Sequence, residues 1–249
     1  MTNLATEQRL EWLRSELEST GAVRIGVAAK TLEVSEMTVR RDLQELESVG
    51  VARRVRGGAV ATGPAHFAER HRQQARAKST IADKLLPLVP ETGAIGLDSS
   101  TTMLRLATAI PGARDLTVVT NSVETFTALK GKKGIQAVLT GGQLEPRTDS
   151  LVGPVAVHTA GSFLLRRFFM SVAAVDPTVG PSEAAIEEAH IKQAFARVSE
   201  EVVLGADTTK LDSRALAISV SWEQVAHLAT ELSPQDPHLT AYTPVAELL

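Results

Sequence analysis

Four short polar runs in this chain have the composition of an anion-binding site: Asp98-Ser99-Ser100-Thr101-Thr102, Thr120-Asn121-Ser122, Thr140-Gly141-Gly142 and Asp207-Thr208-Thr209-Lys210. Small hydroxyl residues that open a helix offer free backbone N–H groups at the positive end of its dipole, which suits a phosphate. Glycines let a backbone come close to a ligand, and a lysine supplies a point charge for an anion. Taken singly, each run has a plainer explanation as an N-cap, a turn or a solvated lysine. Four of them in comparable positions favour phosphate binding. A second chemistry lies near the N-terminus, in VSEMTVRRDLQELESVG over 34–50. Ser35, Glu36, Met37, Thr38, Arg40 and Arg41 crowd the first turns of an expected helix, the arrangement of short polar and guanidinium side chains that enters a DNA major groove. Alone, this segment would pass for an ordinary amphipathic helix.

The elements that position these residues are legible around them. In 34–50 Ser35 is an N-cap, Met37, Val39, Leu43, Leu46 and Val49 form the expected apolar stripe, and Gly50 is the stop. Before it, Glu7 to Glu18 is a helix with Leu10, Leu13 and Leu17 on one face. Arg24 to Leu32 is a shorter helix with Ile25, Ala28, Ala29 and Leu32 inward. After it, VARRVRGGAV makes a hairpin about Gly57-Gly58, with Arg53, Arg54 and Arg56 on its first arm. Helix, helix, turn, helix and basic hairpin describe a winged helix-turn-helix over residues 1–62. Thr62-Gly63-Pro64 breaks the wing, and an Arg-rich linker is expected over 63–80 before an amphipathic helix that ends at Pro90. From Ala94 onward, apolar strands at 94–97, 116–120, 135–140, within 168–175, at 202–206 and at 226–230 alternate with helices at 101–110, 122–130, 182–199 and 213–224. This alternation predicts a mostly parallel, covered sheet over 81–249, with ligands at the carboxyl ends of the strands.

Composition narrows the classes. The 249 residues are 43% hydrophobic and 22% charged, which fits a globular chain of two domains or one large one. No apolar run reaches membrane-spanning length, and MTNLATEQRL lacks a signal-peptide pattern. The absence of cysteine removes disulfides and thiolate metal sites and fits a cytoplasmic setting. The six histidines, His66, His71, His158, His190, His227 and His238, show no metal-ligand spacing, and no metal or other cofactor is expected. Walker, Gly-x-Gly-x-x-Gly and Gly-x-Ser-x-Gly runs are absent. The net charge of −3 is unusual for a DNA binder, but residues 1–80 carry 13 Lys/Arg against 10 Asp/Glu and the remainder 13 against 19. DNA affinity is therefore expected from a local basic patch, multiplied by a homo-oligomer, dimer or tetramer, that engages paired half-sites.

Residues 4–62 resemble the N-terminal domain of the DeoR (deoxyribose-operon-repressor) family of bacterial regulators, through Val34-Ser35, Thr38-Val39-Arg40-Arg41-Asp42-Leu43, Leu46-Glu47, Gly50, Arg53-Arg54 and Gly57-Gly58-Ala59. Residues 69–231 are similar to that family's sensor domain, itself similar to ribose-5-phosphate isomerase, through the polar runs above together with Ser150, Val152-Gly153, Glu188-Ala189 and Lys192. The resemblance implies an operator-binding transcriptional regulator, a repressor of carbohydrate-metabolism genes, retuned by a phosphorylated sugar. It implies that Asp98 to Thr102 and Thr120 to Ser122 line the effector pocket, that Gly141 and Gly142 let backbone approach the sugar, and that Lys210 meets the phosphate or a sugar hydroxyl. Asp176 takes the family's acidic position, and Asp176 and Glu188 are counted with the effector-binding residues. The chain departs from the family at Ser100, over Ala173 to Pro181, at Leu211-Asp212 and at Thr230-Glu231, which bears on the ligand rather than on the fold. Two other functions stay open. One is a sugar-phosphate isomerase using Asp98, Asp176, Glu188 and Lys210 as acid-base groups; the other is a DNA-binding scaffold whose pocket has decayed.

Overall fold

A computed structural model describes residues 4–61 and 67–249, so the expected break at Thr62-Gly63-Pro64 and His66 lie outside the described residues. The chain divides into two compact units, Met1–His66 and Phe67–Leu249.

In the first unit, α1 (Leu4–Thr20), β1 (Ala22–Arg24), α2 (Ile25–Thr31), α3 (Glu36–Ser48), β2 (Ala52–Val55) and β3 (Gly58–Ala61) follow one another. Leu10, Leu13 and Leu17 of α1 meet Ile25, Ala28, Ala29, Val39, Leu43 and Leu46 in one core. Ser35 caps α3 by accepting the Thr38 N–H at 3.1 Å, and Gly50 follows the helix at φ +74°. Two sequence expectations change here. Ala22–Arg24, with Arg24 expected in the second helix, is a strand that pairs Val23 with Ala59 and makes the wing three-stranded, in the order β1-β3-β2. The strand wins because it buries Val23. A Cβ on Gly58 would stand 1.9 Å from the Val23 carbonyl oxygen, so this close pairing demands glycine. In α3, Val39, Leu43 and Leu46 are buried, but Met37 is 74% exposed and Val49 59% exposed. At about 100° per residue, Met37 stands opposite Leu46, which puts it on the outer face.

The second unit begins with α4 (Phe67–Arg72) and α5 (Ala75–Leu85) and continues with β4 (Thr92–Leu97), α6 (Thr101–Ala109), β5 (Asp115–Thr120), α7 (Val123–Leu129), β6 (Ile135–Leu139), β7 (Gln143–Glu145), β8 (Ser150–Val152) and α8 (Gly153–Ala160). It closes with β9 (Leu165–Met170), β10 (Ala174–Asp176), β11 (Gly180–Glu183), α9 (Ile186–Arg197), β12 (Ser199–Gly205), β13 (Ala217–Ile218), β14 (Val225–Ala229) and β15 (Glu247–Leu248). Seven strands form one sheet in the order β15-β14-β12-β9-β4-β5-β6, every adjacent pair parallel. Ile81, Leu85, Met103, Leu106 and Leu129 cover one face, against Ile95, Leu97, Phe169 and Val203. Ala156, Ala160, Ile191, Ala194 and Phe195 cover the other, against Phe168, Met170, Val202 and Leu204. Burial on both faces explains why these strands read as continuous apolar runs.

Residues 67–80, expected in the linker, form α4 and the start of α5 and belong to this unit: Phe67 is buried and donates its N–H to the Arg147 carbonyl at 2.9 Å, and Lys78 is buried. The expected helix at 213–224 is instead β13 and a single 3-10 turn at Trp222–Gln224, because 217–218 pairs with β11 and Ser219 bonds the Pro181 carbonyl. The helix expected from 182 starts at Ile186, since 180–183 is already strand. The β7–β8 hairpin, α8 and the β10-β11-β13 sheet have no counterpart in the expected elements; their pieces are two to eight residues long. Among the described residues no helix is long and apolar enough to cross a membrane.

Candidate functional site: a polar switch point and a basic helix face

Two surfaces gather the residues singled out by the sequence. On the first unit, Met37, Thr38, Arg40, Arg41 and Arg54 line one groove of about 820 Å³. Their partners differ. Ser35 and Thr38 are bonded to each other at 2.9 Å in the cap. Arg40 reaches Glu36 at 3.3 Å. Arg54 is fixed by Glu47, which takes its guanidinium at 2.5 Å and its backbone N–H at 2.9 Å. That backbone bond first, then the guanidinium, holds the Glu47 carboxyl below its ordinary pKa. Arg41, Arg53 and Arg56 are exposed. Arg9 and Asp42, outside the sequence-predicted set, form a two-point pair at 2.8 and 3.2 Å that joins α1 to α3.

On the second unit the polar runs converge where β4 and β9 lie side by side and the chain leaves them toward opposite edges of the sheet, the position at which open α/β sheets hold ligands. Asp98, directly after β4, is fully buried and fully engaged: it accepts the Ser100 N–H at 2.9 Å, the Ser171 N–H at 2.9 Å and the Lys192 ammonium at 2.8 Å. Lys192 also lies 3.3 Å from Glu183 and 3.8 Å from Glu188. Burial opposes its charge, but Asp98, Glu183 and Glu188 outweigh burial and raise its pKa. For Glu183 burial dominates and raises the pKa against the pull of Lys192. Glu188 accepts Ser150 Oγ–H at 2.5 Å and Ser99 Oγ–H at 3.2 Å, which ties the β4 loop to β8. Asp98 and Glu188 are thus braces that shape the loops. Lys192 and Glu183 were not among the predicted site residues, although Lys192 stands in a run that carried the family resemblance.

Above these braces, Ser100 caps α6 by accepting the Met103 N–H, and the buried Thr101 and Thr102 supply the first N–H groups of the helix, which have no carbonyl in their own helix to bond. Lys210 donates to Ser171 Oγ at 2.8 Å and stands 3.8 Å from Asp207; burial lowers its pKa against the pull of Asp207. Lys78 bonds the carbonyls of Arg70 and Gln73 at 2.5 and 2.9 Å. Burial first, then the charge of Lys210, brings its pKa down to about 8. Arg70, whose charge acts on both lysines, stacks over Phe67 at 5.6 Å and donates to the Thr148 carbonyl. Its carbonyl also lies 3.5 Å from Thr101 Oγ1, so α4 adjoins the α6 N-terminus. Arg70, Lys78 and Lys210 therefore place positive charge beside a helix N-terminus. Arg70 and Lys78 were missed because their stretch looked like a solvated linker.

The second polar run is close by. Thr120 Oγ1 accepts the Ser122 N–H, Ser122 caps α7, and Ser122 bridges to Ser150. Asn121 donates Nδ2–H to the Leu151 carbonyl at 3.2 Å, leaving a buried Oδ1 with no protein donor. Two predicted residues have other local duties. A Cβ on Gly142 would stand 2.6 Å from the Val152 carbonyl oxygen, so packing against β8 and α8 accounts for this glycine, whose neighbour Gly141 also sits at positive φ. Asp176 is the last residue of β10, paired with Gly180 where the hairpin turns into β11. It binds Arg214 at 2.6 Å and the N–H groups of Thr178 and Val179 at 2.8 Å each. Arg214 chiefly, and then Val179, pull its pKa to about 2. Glu231, one of the departures noted above, accepts Thr208 N–H and Oγ–H and so anchors the Lys210 loop.

Comparison with known proteins adds a family to this geometry. Residues 9–64 match the DeoR-like helix-turn-helix domain, and residues 73–232 match the DeoR C terminal sensor domain. The uncharacterized HTH-type transcriptional regulator YulB of Bacillus subtilis is 31% identical over 87% of this chain and 84% of its own. The lactose phosphotransferase system repressor of Streptococcus mutans is 29% identical over 96% and 98%, and the L-fucose operon activator of Haemophilus influenzae 29% over 86% of each chain. Among solved structures, ribose 5 phosphate isomerase A from Neisseria gonorrhoeae aligns over 55% of this chain and 53% of its own, with 20% identity and a TM-score of 0.38.

Proposed function

The chain belongs to the DeoR family of helix-turn-helix transcriptional regulators, and on that premise we propose that it controls carbohydrate-metabolism genes as a repressor whose operator affinity is set by a phosphorylated sugar. The basic face of α3 and the wing would contact operator DNA in the cytoplasm, with a homo-oligomer pairing half-sites. The phosphate would sit at the N-terminus of α6, and Lys210, Lys78 and Arg70 would balance its charge. Asn121 Oδ1 and the Ser122 and Ser150 region would face the sugar hydroxyls. The observation that carries this reading is the convergence of three cations from two distant segments on one helix N-terminus whose N–H groups lack intrahelical partners.

The site supports binding better than catalysis. Asp98 and Glu188, two of the acid-base candidates, spend their carboxylate oxygens on hydrogen bonds within the protein, and a third, Asp176, is committed to Arg214. A bound effector shifts operator affinity only by its differential affinity for the two states of the regulator.

A thermal-shift screen of sugar phosphates against the corresponding free sugars tests the proposal. A phosphorylated ligand at 100 times its Kd adds about 2.7 kcal/mol of stability and raises Tm. Lys210→Ala is expected to keep operator binding and lose both the ligand-induced shift and the change in DNA affinity. A ligand response that survives this substitution removes Lys210 from the site.

A further inference from the structure

Met37 and Arg41 stand four residues apart on the outer face of α3 and so lie along one stripe. Met37 is 74% exposed and takes no part in the core beneath it. Arg41 is exposed and, among the described residues, holds no ion pair and no side-chain hydrogen bond. The other guanidiniums around this groove are engaged: Arg40 by Glu36, Arg54 by Glu47 and Arg9 by Asp42. Arg9 spends two guanidinium nitrogens on Asp42, whereas Arg40 and Arg54 each give one nitrogen to a carboxylate that fixes where the rest of the fork can point. Among the described residues, Arg41 keeps its whole fork free and unconstrained.

We infer that Met37 and Arg41 are the paired base readers of this helix: Arg41 bonds O6 and N7 of a guanine, and Met37 covers the C5 methyl of a nearby thymine. The inference rests on the DNA-binding reading above and adds the bases that are read. In the major groove only thymine displays an apolar group, and arginine matches guanine with two hydrogen bonds. A thioether side chain is long and adaptable enough to reach a methyl group. Four helical residues rise about 6 Å, close to two base-pair steps, so the thymine lies within about two base pairs of the guanine. Arg40 and Arg54, held by their carboxylates, orient the helix and the wing against phosphates.

The test begins with selection of binding sites from random duplex DNA by the full chain. The enriched sequence is expected to contain a guanine with a thymine within about two base pairs. Replacing that thymine by uracil removes only the methyl group and is expected to weaken binding about fourfold. Met37→Ala is expected to bind the thymine and uracil duplexes equally. Arg41→Ala and Arg41→Lys are expected to lose at least about tenfold affinity and the guanine preference, whereas Arg40→Ala weakens all sequences alike. All three residues are exposed, so folding is not at stake, and a melting curve checks it. An enriched site that binds equally with uracil, or a Met37→Ala variant that still distinguishes the two, overturns this assignment and leaves the regulator reading intact. No enriched sequence at all overturns both.

Discussion

The lysine at position 78 ties ligand charge to pH. Its pKa of about 8 arises from burial and from the neighbouring Lys210, with Arg70 and Arg105 adding to the effect. Below pH 8 the ammonium is charged and attracts an anion; above it the charge is lost. Affinity for a phosphorylated ligand is therefore expected to fall as pH rises through about 8, and ligand binding near that pH should take up a proton. Lys78→Arg, which stays charged, should flatten the profile. Titration calorimetry in two buffers of different ionisation enthalpy measures both. The sign for stability is the reverse of the usual lysine ion pair. Because the native state binds this proton more weakly than the unfolded chain, Lys78 opposes folding below pH 8, and that cost is relieved between about 8 and the unfolded value near 10.4.

At the level of elements, the wing and the braced loops depend on close approaches. Gly58 lets β3 run against Val23, where a Cβ would meet a carbonyl oxygen at 1.9 Å. Gly58→Val is expected to cost about 1–3 kcal/mol, the range for overpacking, and to weaken DNA binding while leaving the ligand-induced response of the second unit. Thermal melting together with ligand and DNA titrations would show whether the two losses separate. Ser150 plays a comparable part in the second unit, since it joins β8 to Glu188 and bonds Thr148, whose carbonyl holds Arg70. Ser150→Ala leaves a buried carboxylate oxygen of Glu188 short of a donor. Its expected cost is about 1–3 kcal/mol, with a weakened ligand response, measured by denaturant unfolding and ligand titration.

Across the whole molecule, a chain of net charge −3 that binds DNA must do so through a patch. Operator binding is therefore expected to be steeply salt-dependent. If an oligomer makes about 6–10 phosphate contacts, affinity falls about 10³- to 10⁵-fold between 50 and 200 mM salt. Fluorescence anisotropy at several salt concentrations gives the slope. A slope of only one or two contacts would argue against paired half-sites.

Local patterns were enough to place the helices and strands whose information lies within a few residues. Ser35 as cap, Gly50 as stop, the Leu10, Leu13 and Leu17 face and the six sheet strands from 92 to 229 depend on spacings of one or two turns or on continuous apolar runs. The same locality exposed the four polar runs, because a loop that opens a helix has its own composition. The remainder depends on contacts between segments distant in the chain. The face shown by Met37 followed from what α1 and α2 buried against α3, and the strand at Ala22–Arg24 exists because β3 lies beside it. Arg9 meets Asp42 across 33 residues, and Lys192 meets Asp98 across 94. Lys78 owes its lowered pKa partly to Lys210, and no local pattern announces such a neighbour. Charge and burial act through space, so the residues that set the site's electrostatics became visible only when the fold brought them together.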